Sequence, residues 1–494
     1  MTNAPRWLIG IEVFSVLAWI VLAVILVIQS QSKLHLQPLT IEALQSSSSS
    51  ERWNGLFFHD QQVGFSVSRT NISEDGTMLL EQRSMLRIAT FGKIQTITTA
   101  SAALTDQDGF LRRFDFFMNA DTAKLTVRGE VQENKILMEL DQGTGELQTL
   151  DFPIDNPPHV SLSLESKIRN TELSVGKSFS IPYFDPVSMS NGEMYIKVFD
   201  TEILENGEEA WWLTSSFNGI ETRSLVTTTG DILRQEGAMG ITMVRMTAAD
   251  AQKLDINEEV VDLISLSAVS FKGKIKKPRE LRRLTLKIAG VDIAKILHDP
   301  PLQSINGTEV RIDIPDLNEL TTQSIASEKF PQYLESSLTI PAANIQIRKK
   351  AIEVIADSQD RLQAVTRLNQ FVFDYMEKVP VIGVPNGLAS LQNAQGDCNE
   401  HTALFVSLAR SLGIPTKIVA GVVFSDRTGP LGQFYYHAWP EVLLDDDIWV
   451  PIDPTFGQVP ADATHLKLVE GDLDRQVEIM AFLGQLSLEK VEEK

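Results

Sequence analysis

The chain contains one cysteine, Cys398, which is followed in order by a histidine and an aspartate that could complete a catalytic triad. A single cysteine cannot form an internal disulfide. A thiol, a histidine base such as His437 and an orienting carboxylate such as Asp453 are the groups needed to attack an acyl carbon. Burial as a small apolar side chain is the alternative for Cys398. We take these three as candidate catalytic residues.

The residues around Cys398 predict that its thiol lies at the N-terminus of a helix. Asp397 is a capping residue type, Glu400 can complete a capping box, and Gly413 followed by Pro415 marks the helix end. Free backbone N–H groups at a helix N-terminus favour a thiolate over a thiol and can bind an oxyanion. The sequence therefore predicts an activated Cys398.

Three apolar stretches after this helix have the composition of strands and would carry the other two candidates. These stretches are 417–424, 433–444 and 448–454. His437 lies in the second and Asp453 in the third, so the two side chains can meet across an antiparallel pair. Upstream, apolar positions between Ile352 and Tyr375 recur at helical spacing and predict a helix with one buried face.

Several motifs in this part of the chain resemble the transglutaminase-like superfamily, whose fold is papain-like. The matching stretches are Gly396-Asp397-Cys398, residues 404–415, His437-Ala438-Trp439-Pro440-Glu441-Val442 and residues 449–455. The resemblance covers about 345–468, and several motifs in the right order are more specific than any one alone. The stretch 461–465 and the β-rich remainder resemble membrane-anchored bacterial members.

The resemblance implies a reaction and a role for each candidate. Cys398 would attack a glutamine-type amide or a peptide carbonyl, giving a thioester and releasing an amine. His437 would be the general base and acid, and Asp453 would orient and stabilise the imidazolium. Water resolving the thioester would make the protein a peptidase or amidase, whereas a lysine-type amine would give a crosslink.

Two further residues are candidates for the substrate pocket or the oxyanion site. Gln395, together with Gln392 and Asn393, precedes Cys398 and could donate to an oxyanion. Trp439 could shape the acyl pocket or fill the core. Pro440 removes a backbone N–H, which suggests that its strand is an edge at that point.

The sequence predicts neither a metal nor a cofactor. Cys398 and His401 are three residues apart, as in half a zinc site, but no second Cys or His pair completes it. We therefore expect His401 on the helix surface or behind the catalytic residues. The acidic triplet 445–447 lacks the spacing of a calcium loop and predicts a solvated hairpin turn.

The N-terminal segment 7–28 is apolar enough and long enough to span a bilayer as a helix. We interpret it as an uncleaved anchor after a cytoplasmic segment 1–6, with a cleaved signal peptide as the alternative. This interpretation predicts a single-pass protein of the bacterial inner membrane whose C-terminal domains lie in the periplasm.

Composition shifts along the chain predict an α+β protein with an N-terminal transmembrane helix, a β-rich antiparallel region and a C-terminal domain, which the resemblance implies is transglutaminase-like (papain-like). The predicted segments are a flexible linker at 29–52 that includes Ser46–Ser50, a β-rich region at 53–250 that could be two related blocks, a β-leaning connecting module at 251–344, a catalytic domain at 345–470 and a tail at 471–494. The basic residues between Lys272 and Arg283 are interpreted as a solvated face, with an anionic partner as the alternative.

A net charge of -21 argues against nucleic-acid binding, which needs a basic face. The expected partners are a protein or peptide substrate, the inner membrane through 7–28 and envelope proteins. Two functional classes fit these observations: a cysteine enzyme acting on amide bonds, or a catalytically silent envelope scaffold that uses the same fold to bind peptide.

Overall fold

The computed structural model describes most of the chain after the N-terminal segment. The described residues are 36, 39 and 46–494, apart from 59, 91–92, 121–123, 144–146, 187, 238–239, 255–259, 261–267, 322, 382, 427–431, 446, 473–474, 476–477, 480–481 and 483. Strands make up 48% of the structure and helices 19%. The protein is therefore strand-rich, with large antiparallel sheets, and the predicted α+β class is wrong in its balance of elements.

The predicted membrane anchor over 7–28 lies outside the described residues. Among the residues that the structure does describe, no helix is long and apolar enough to cross a membrane. The longest helix there has 15 residues, about 22 Å, which is shorter than the roughly 30 Å of a hydrocarbon core. The predictions of a transmembrane helix and of a single-pass inner-membrane location find no support among these residues; they are corrected to that extent and are not carried further.

The first fourteen strands form one antiparallel sheet. They are β1 Ser46–Phe58, β2 Gln61–Ser73, β3 Met78–Thr90, β4 Lys93–Thr105, β5 Leu111–Asn119, β6 Lys124–Gln132, β7 Lys135–Asp141, β8 Leu147–Pro153, β9 Ser178–Asp185, β10 Ser190–Ile203, β11 Glu209–Phe217, β12 Ile220–Thr227, β13 Ile232–Glu236 and β14 Ile241–Met246. Buried and solvated side chains alternate along strands such as β6, as the period-two pattern predicts. This sheet is called the large sheet below.

The two strand-rich blocks seen in the sequence join at the centre of the large sheet. Its order is β8-β7-β6-β5-β4-β3-β2-β1-β14-β13-β12-β11-β10-β9, because β1 pairs with β14. The end strands approach each other, since Phe152 of β8 contacts Phe184 of β9 with ring centroids 5.9 Å apart. Ser46–Ser50 forms the start of β1 and pairs with β2, so the prediction that these serines are a flexible tether is wrong.

The remaining long strands form a nine-stranded sheet that carries the candidate site. They are β15 Ala268–Lys272, β16 Arg283–Ala289, β17 Gln303–Asn306, β18 Glu309–Asp313, β21 Thr416–Ser425, β22 Gln433–Leu443, β23 Trp449–Pro451, β24 Leu466–Glu470 and β25 Ser487–Glu493, while β19 Glu377–Lys378 pairs with β20 Gln395–Gly396. Strands from the connecting module and from the C-terminal tail thus share a sheet with the strand of His437. The domain boundaries stay a prediction.

Six α-helices are described. They are α1 Leu164–Arg169, α2 Ala248–Ala251, α3 Ile345–Ile355, α4 Arg361–Tyr375, α5 Gly387–Asn393 and α6 Cys398–Ser411. The prediction of one helix up to Tyr375 is corrected, because Ala356 has a positive φ of 44° and Asp360 caps the start of α4. Helices α3, α4 and α5 pack around α6, whose residues from Glu400 to Ala409 are all buried.

A substitution of Gly421 tests how closely β21 packs against the neighbouring strands behind the candidate site. It lies opposite His437 in the β21–β22 pair, and a β-carbon there would overlap with the carbonyl oxygen of Leu466. We expect Gly421→Ala to lower the free energy of unfolding by about 2 kcal/mol, measured by denaturant titration. Gly192→Ala is the control, since its β-carbon would lie 3.5 Å from Phe217. Equal stability of the two variants would contradict the packing.

Candidate functional site

Cys398 is the first residue of α6, as the sequence predicted. The side chain of Asp397 accepts a hydrogen bond from the backbone N–H of Asn399 at 2.8 Å. The carboxylate of Glu400 accepts one in return from the N–H of Asp397 at 3.0 Å. The capping box is therefore complete, and it fixes the direction in which the chain enters the helix.

Helix α6 lies against β22, which carries His437. The Thr402 hydroxyl donates to the carbonyl oxygen of Ala438 at 3.1 Å. The backbone N–H of Ala438 in turn donates to the Cys398 sulfur. These two contacts place the thiol beside the residue that follows His437 in β22.

His437 and Asp453 meet as the sequence predicted. Nε2 of His437 lies 2.9 Å from Oδ2 of Asp453. Asp453 follows β23 instead of lying within it, and its Oδ1 accepts the N–H groups of Thr455 at 2.7 Å and Phe456 at 2.9 Å. The turn after β23 therefore aims the carboxylate at the histidine. The bond through Nε2 leaves Nδ1 as the ring nitrogen that does not face Asp453.

A second histidine, which the sequence analysis did not select, shares the same carboxylate oxygen. Nε2 of His465 lies 3.0 Å from Oδ2 of Asp453, and its Nδ1 lies 2.9 Å from the carbonyl oxygen of Asp462. His465 directly precedes β24. The signal that could have found it was a set of four polar or charged residues, Asp462, Thr464, His465 and Lys467, within the otherwise apolar stretch from Ala461 to Val469.

Arg279 extends this network from the connecting module. Its guanidinium lies 2.7 Å from Oδ2 of Asp462 and 4.1 Å from the ring centroid of Phe456. The Phe456 ring stacks on His437 with centroids 5.1 Å apart and an angle of 11°. The interpretation of the basic stretch between Lys272 and Arg283 as a solvated face is therefore wrong for Arg279.

The other sequence candidates take different positions. Trp439 is 1% exposed and packs beside His437 and His465, so it fills the core behind the histidines. Pro440 lies between the parts of β22 that pair with β15, at 434–435, and with β23, at 441–443. Gln395 lies on β20 and lines a cavity.

This cavity lies between the large sheet and the segment that leads into α6. It has a volume of about 240 Å³, and its lining includes Gln395 and Glu400 on one side and Leu125 and Gln142 of the large-sheet region on the other. The Gln142 amide donates to the carbonyl oxygen of Val384 at 3.1 Å, which ties the two sides together. The large-sheet region thus forms one wall of a cavity of mixed polar and apolar lining next to the first turn of α6.

The comparison with protein families identifies this part of the chain. Residues 348–454 match the transglutaminase-like superfamily. The match contains Cys398, His437 and Asp453, and it ends before His465. The resemblance inferred from the sequence is confirmed for this transglutaminase-like domain. No curated protein matches the chain.

Solved structures give distant similarities. A protein described as a candidate cysteine protease from Cytophaga hutchinsonii is 14% identical with a TM-score of 0.28, covering 43% of this chain and 86% of that one. A beta-barrel-like protein from Brucella abortus is 13% identical with a TM-score of 0.31, covering 40% and 93%. A candidate protease from Parabacteroides distasonis is 9% identical with a TM-score of 0.19, covering 69% of each chain. At these scores the similarities carry no argument about activity.

The histidines and the carboxylate of the transglutaminase-like domain form a buried charged cluster. Burial by itself would raise the pKa of Asp453, but the charge of His437 and the hydrogen bonds from both histidines hold it well below its ordinary value. Burial would lower the pKa of His465, yet the bonds to Asp453 and Asp462 raise it to about 9. His465 is therefore an imidazolium and Asp453 a carboxylate at neutral pH.

The thiol is not activated in the way that its place on the helix predicts. Burial raises the pKa of Cys398 well above its ordinary value, and the carboxylate of Asp397 adds to this effect. Burial, followed by the neighbouring Asp397, also raises the pKa of Glu400. Burial and the neighbouring Asp397 therefore oppose the helix end, which is equivalent to roughly half a charge, and the resulting pKa shift of the thiol is upward.

His401 is buried and neutral. It is 0% exposed, its Nδ1 lies 2.6 Å from the carbonyl oxygen of Asp397, and burial lowers its pKa to about 4. The surface alternative for His401 is corrected, and the residue supports the capping turn from behind.

Three side chains of the site have the composition of a metal-binding set. The ligand atoms of His437, Asp453 and His465 lie within 4.8 Å of one another. The two distances from a histidine nitrogen to the Asp453 oxygen, 2.9 and 3.0 Å, are those of hydrogen bonds. The three groups therefore satisfy one another through protons.

The charge of His465 predicts how stability depends on pH. Its pKa is higher in the folded state than the ordinary value of 6.5, so its contribution is complete below about pH 6.5 and is lost as the pH rises through about 9. We expect roughly 3 kcal/mol of folding free energy to be lost over this interval, at about 1.4 kcal/mol for each pH unit. Denaturant titrations of the wild type and His465→Gln at several pH values between about 6.5 and 9 measure the free energy of unfolding, and the variant should lack this pH-dependent loss. A loss of equal size in both would contradict it.

The raised pKa of Cys398 predicts slow alkylation. Because this is the only thiol, iodoacetamide incorporation measured by mass reports on it alone. We expect the folded chain at pH 8 to react at least about tenfold more slowly than the chain denatured in guanidinium, since only the thiolate is nucleophilic. Faster reaction of the folded chain would show that the helix end dominates the thiol.

Proposed function

We propose that this protein is a cysteine enzyme that transfers acyl groups from protein or peptide amides through a thioester. One observation carries the proposal: the His437–Asp453 bond of 2.9 Å lies beside the N-terminus of the helix that begins at Cys398. The match of residues 348–454 to the transglutaminase-like superfamily supports it. The three groups have the roles of nucleophile, base and orienter.

The proposed reaction begins from a neutral thiol. As the sulfur adds to the amide carbon, Nδ1 of His437 takes the thiol proton, and Asp453 stabilises the imidazolium through Nε2. The carbon–nitrogen bond then breaks, and the same proton passes from His437 to the leaving amine. Water or a primary amine attacks the thioester, gives a proton to His437, and regenerates the thiol as the carboxylic acid or the new amide leaves.

The first turn of α6 could stabilise the oxyanion of each addition. Its cap engages the N–H of Asn399, so the N–H of Cys398 is the donor placed at the attacking sulfur. The amide of Gln395, on β20 just before the helix, is a second donor candidate. Together they would supply the paired donors that such intermediates need.

The cavity between Gln395 and the large-sheet region suggests where substrate binds. Its lining mixes amides, one hydroxyl, the charged side chains of Lys124 and Glu400, and apolar groups, which suits a peptide segment with polar side chains. We therefore assign the large-sheet region the role of presenting a substrate to the transglutaminase-like domain.

A peptide-binding scaffold without turnover is the second candidate function. The observation that favours it is the raised pKa of Cys398, which lowers the thiolate fraction of the resting protein. A scaffold would bind peptides in the same cavity and release them unchanged.

A glutamine-containing peptide, offered with and without a primary amine, tests the proposal by mass spectrometry of the products. Ammonia release without the amine indicates hydrolysis, and incorporation of the amine indicates transfer. Cys398→Ala and His437→Ala are expected to lower turnover by about 10³-fold or more. Lys349→Ala, an exposed change on α3, is the control and should leave turnover unchanged.

Two results would overturn the enzyme proposal. One is turnover that survives in Cys398→Ala at the wild-type rate. The other is peptide binding by the wild type without any product, which would assign the protein to the scaffold class.

A further inference from the structure

The carboxylate of Asp453 is held by more donors than a catalytic triad requires. His437 and His465 both donate to Oδ2, while the backbone N–H groups of Thr455 and Phe456 donate to Oδ1. The carboxylate is 0% exposed. Of these four donors, His465 is the side chain whose role the proposed mechanism leaves open.

The contacts of His465 fix its protonation state by geometry. Its Nε2 faces a carboxylate oxygen at 3.0 Å, and its Nδ1 faces a backbone carbonyl oxygen at 2.9 Å. Both partners accept hydrogen bonds, so both ring nitrogens must carry protons. A doubly protonated ring carries a positive charge, and the carboxylate of Asp462, 3.7 Å from Nδ1, balances it.

Arg279 closes the network on its outer side. Its guanidinium lies 2.7 Å from Asp462 and covers the ring of Phe456 at 4.1 Å. Phe456 in turn stacks on the ring of His437. The charges therefore alternate from Arg279 through Asp462 and His465 to Asp453, and the far end of the network also restrains the catalytic ring.

We propose that His465 is a positioning residue, a fixed buried cation that keeps Asp453 ionised and directed at His437. The inference rests on the proposed function and adds to it a residue outside the transglutaminase-like match at 348–454. With Oδ2 shared between two rings, Asp453 cannot rotate away from His437 without breaking the bond to His465. His437 is thereby held with Nε2 on the carboxylate and Nδ1 toward the thiol.

Acylation of Cys398 by p-nitrophenyl acetate tests this role in the full chain. In this step the sulfur bonds to the acetyl carbon, the thiol proton goes to His437, and p-nitrophenolate leaves and is measured by its absorbance. The rate is recorded against pH for the wild type, His465→Gln, Asp453→Asn and His437→Ala. His298→Gln, an exposed histidine away from the site, is the matched control.

We expect His465→Gln to slow acylation by about tenfold, in the same direction as Asp453→Asn, while His298→Gln keeps the wild-type rate. The midpoint of the rise of rate with pH should also move to higher pH, because loss of a nearby buried cation makes release of the transferred proton less favourable. A merely structural role would not move that midpoint. An unchanged rate and midpoint in folded His465→Gln would overturn the inference.

The same experiment separates this inference from the proposed function. If the wild type is not acylated at Cys398, or if His437→Ala acylates at the wild-type rate, the proposed function fails. If the wild type is acylated at Cys398 and His437→Ala reacts more slowly, but His465→Gln reacts as the wild type does, only the positioning role fails. Sensitivity of the wild-type rate to EDTA would assign the three side chains to a metal and overturn the role.

Arg279→Gln provides a second variant if His465→Gln does not fold, which a thermal unfolding scan would show. It alters the partly exposed end of the network and leaves both histidines in place. We expect a smaller fall in rate, of roughly threefold, with the midpoint moved in the same direction. Wild-type behaviour of folded Arg279→Gln together with an unfolded His465→Gln would overturn the inference.

Discussion

The burial of the Asp453 carboxylate is the constraint on which the site depends. A buried charge costs several kcal/mol unless it is paired and hydrogen-bonded, so the surrounding chain must supply donors in fixed positions. The turn after β23 supplies two N–H groups, β22 supplies His437, and the residue before β24 supplies His465. Three separate elements therefore meet at the two oxygens of the Asp453 carboxylate. These contacts also fix the orientation of the ring of His437, the proposed base.

The thiol shows two opposing effects at one helix end. The N-terminus of α6 favours an anion, but the same turn holds the carboxyl groups of Asp397 and Glu400 in a buried capping box. Burial and the neighbouring carboxylate outweigh the helix end and raise the pKa of Cys398, so the resting thiol keeps its proton. In the proposed mechanism the nucleophile therefore forms only when His437 takes the proton during attack.

The remainder of the chain builds the surroundings of this site. Strands β15, β16 and β25, from segments far apart in sequence, extend the sheet that contains β22. The turn before β16 brings Arg279 to Asp462, and the large-sheet region forms one wall of the cavity beside Gln395. The transglutaminase-like domain therefore obtains part of its electrostatics and part of its cleft from segments outside the family match.

The sequence by itself determined the local features of the site and many of its strands. Capping residues and a glycine stop located α6, and alternating apolar residues located strands such as β6, because such signals act between near neighbours. It misjudged Ser46–Ser50, whose pairing with β2 overrides a composition typical of linkers. Only the tertiary structure showed that His465 and Arg279 belong to the site and that the thiol keeps its proton. Those properties depend on burial and on charges brought together from distant segments, and neither is visible in the order of the residues.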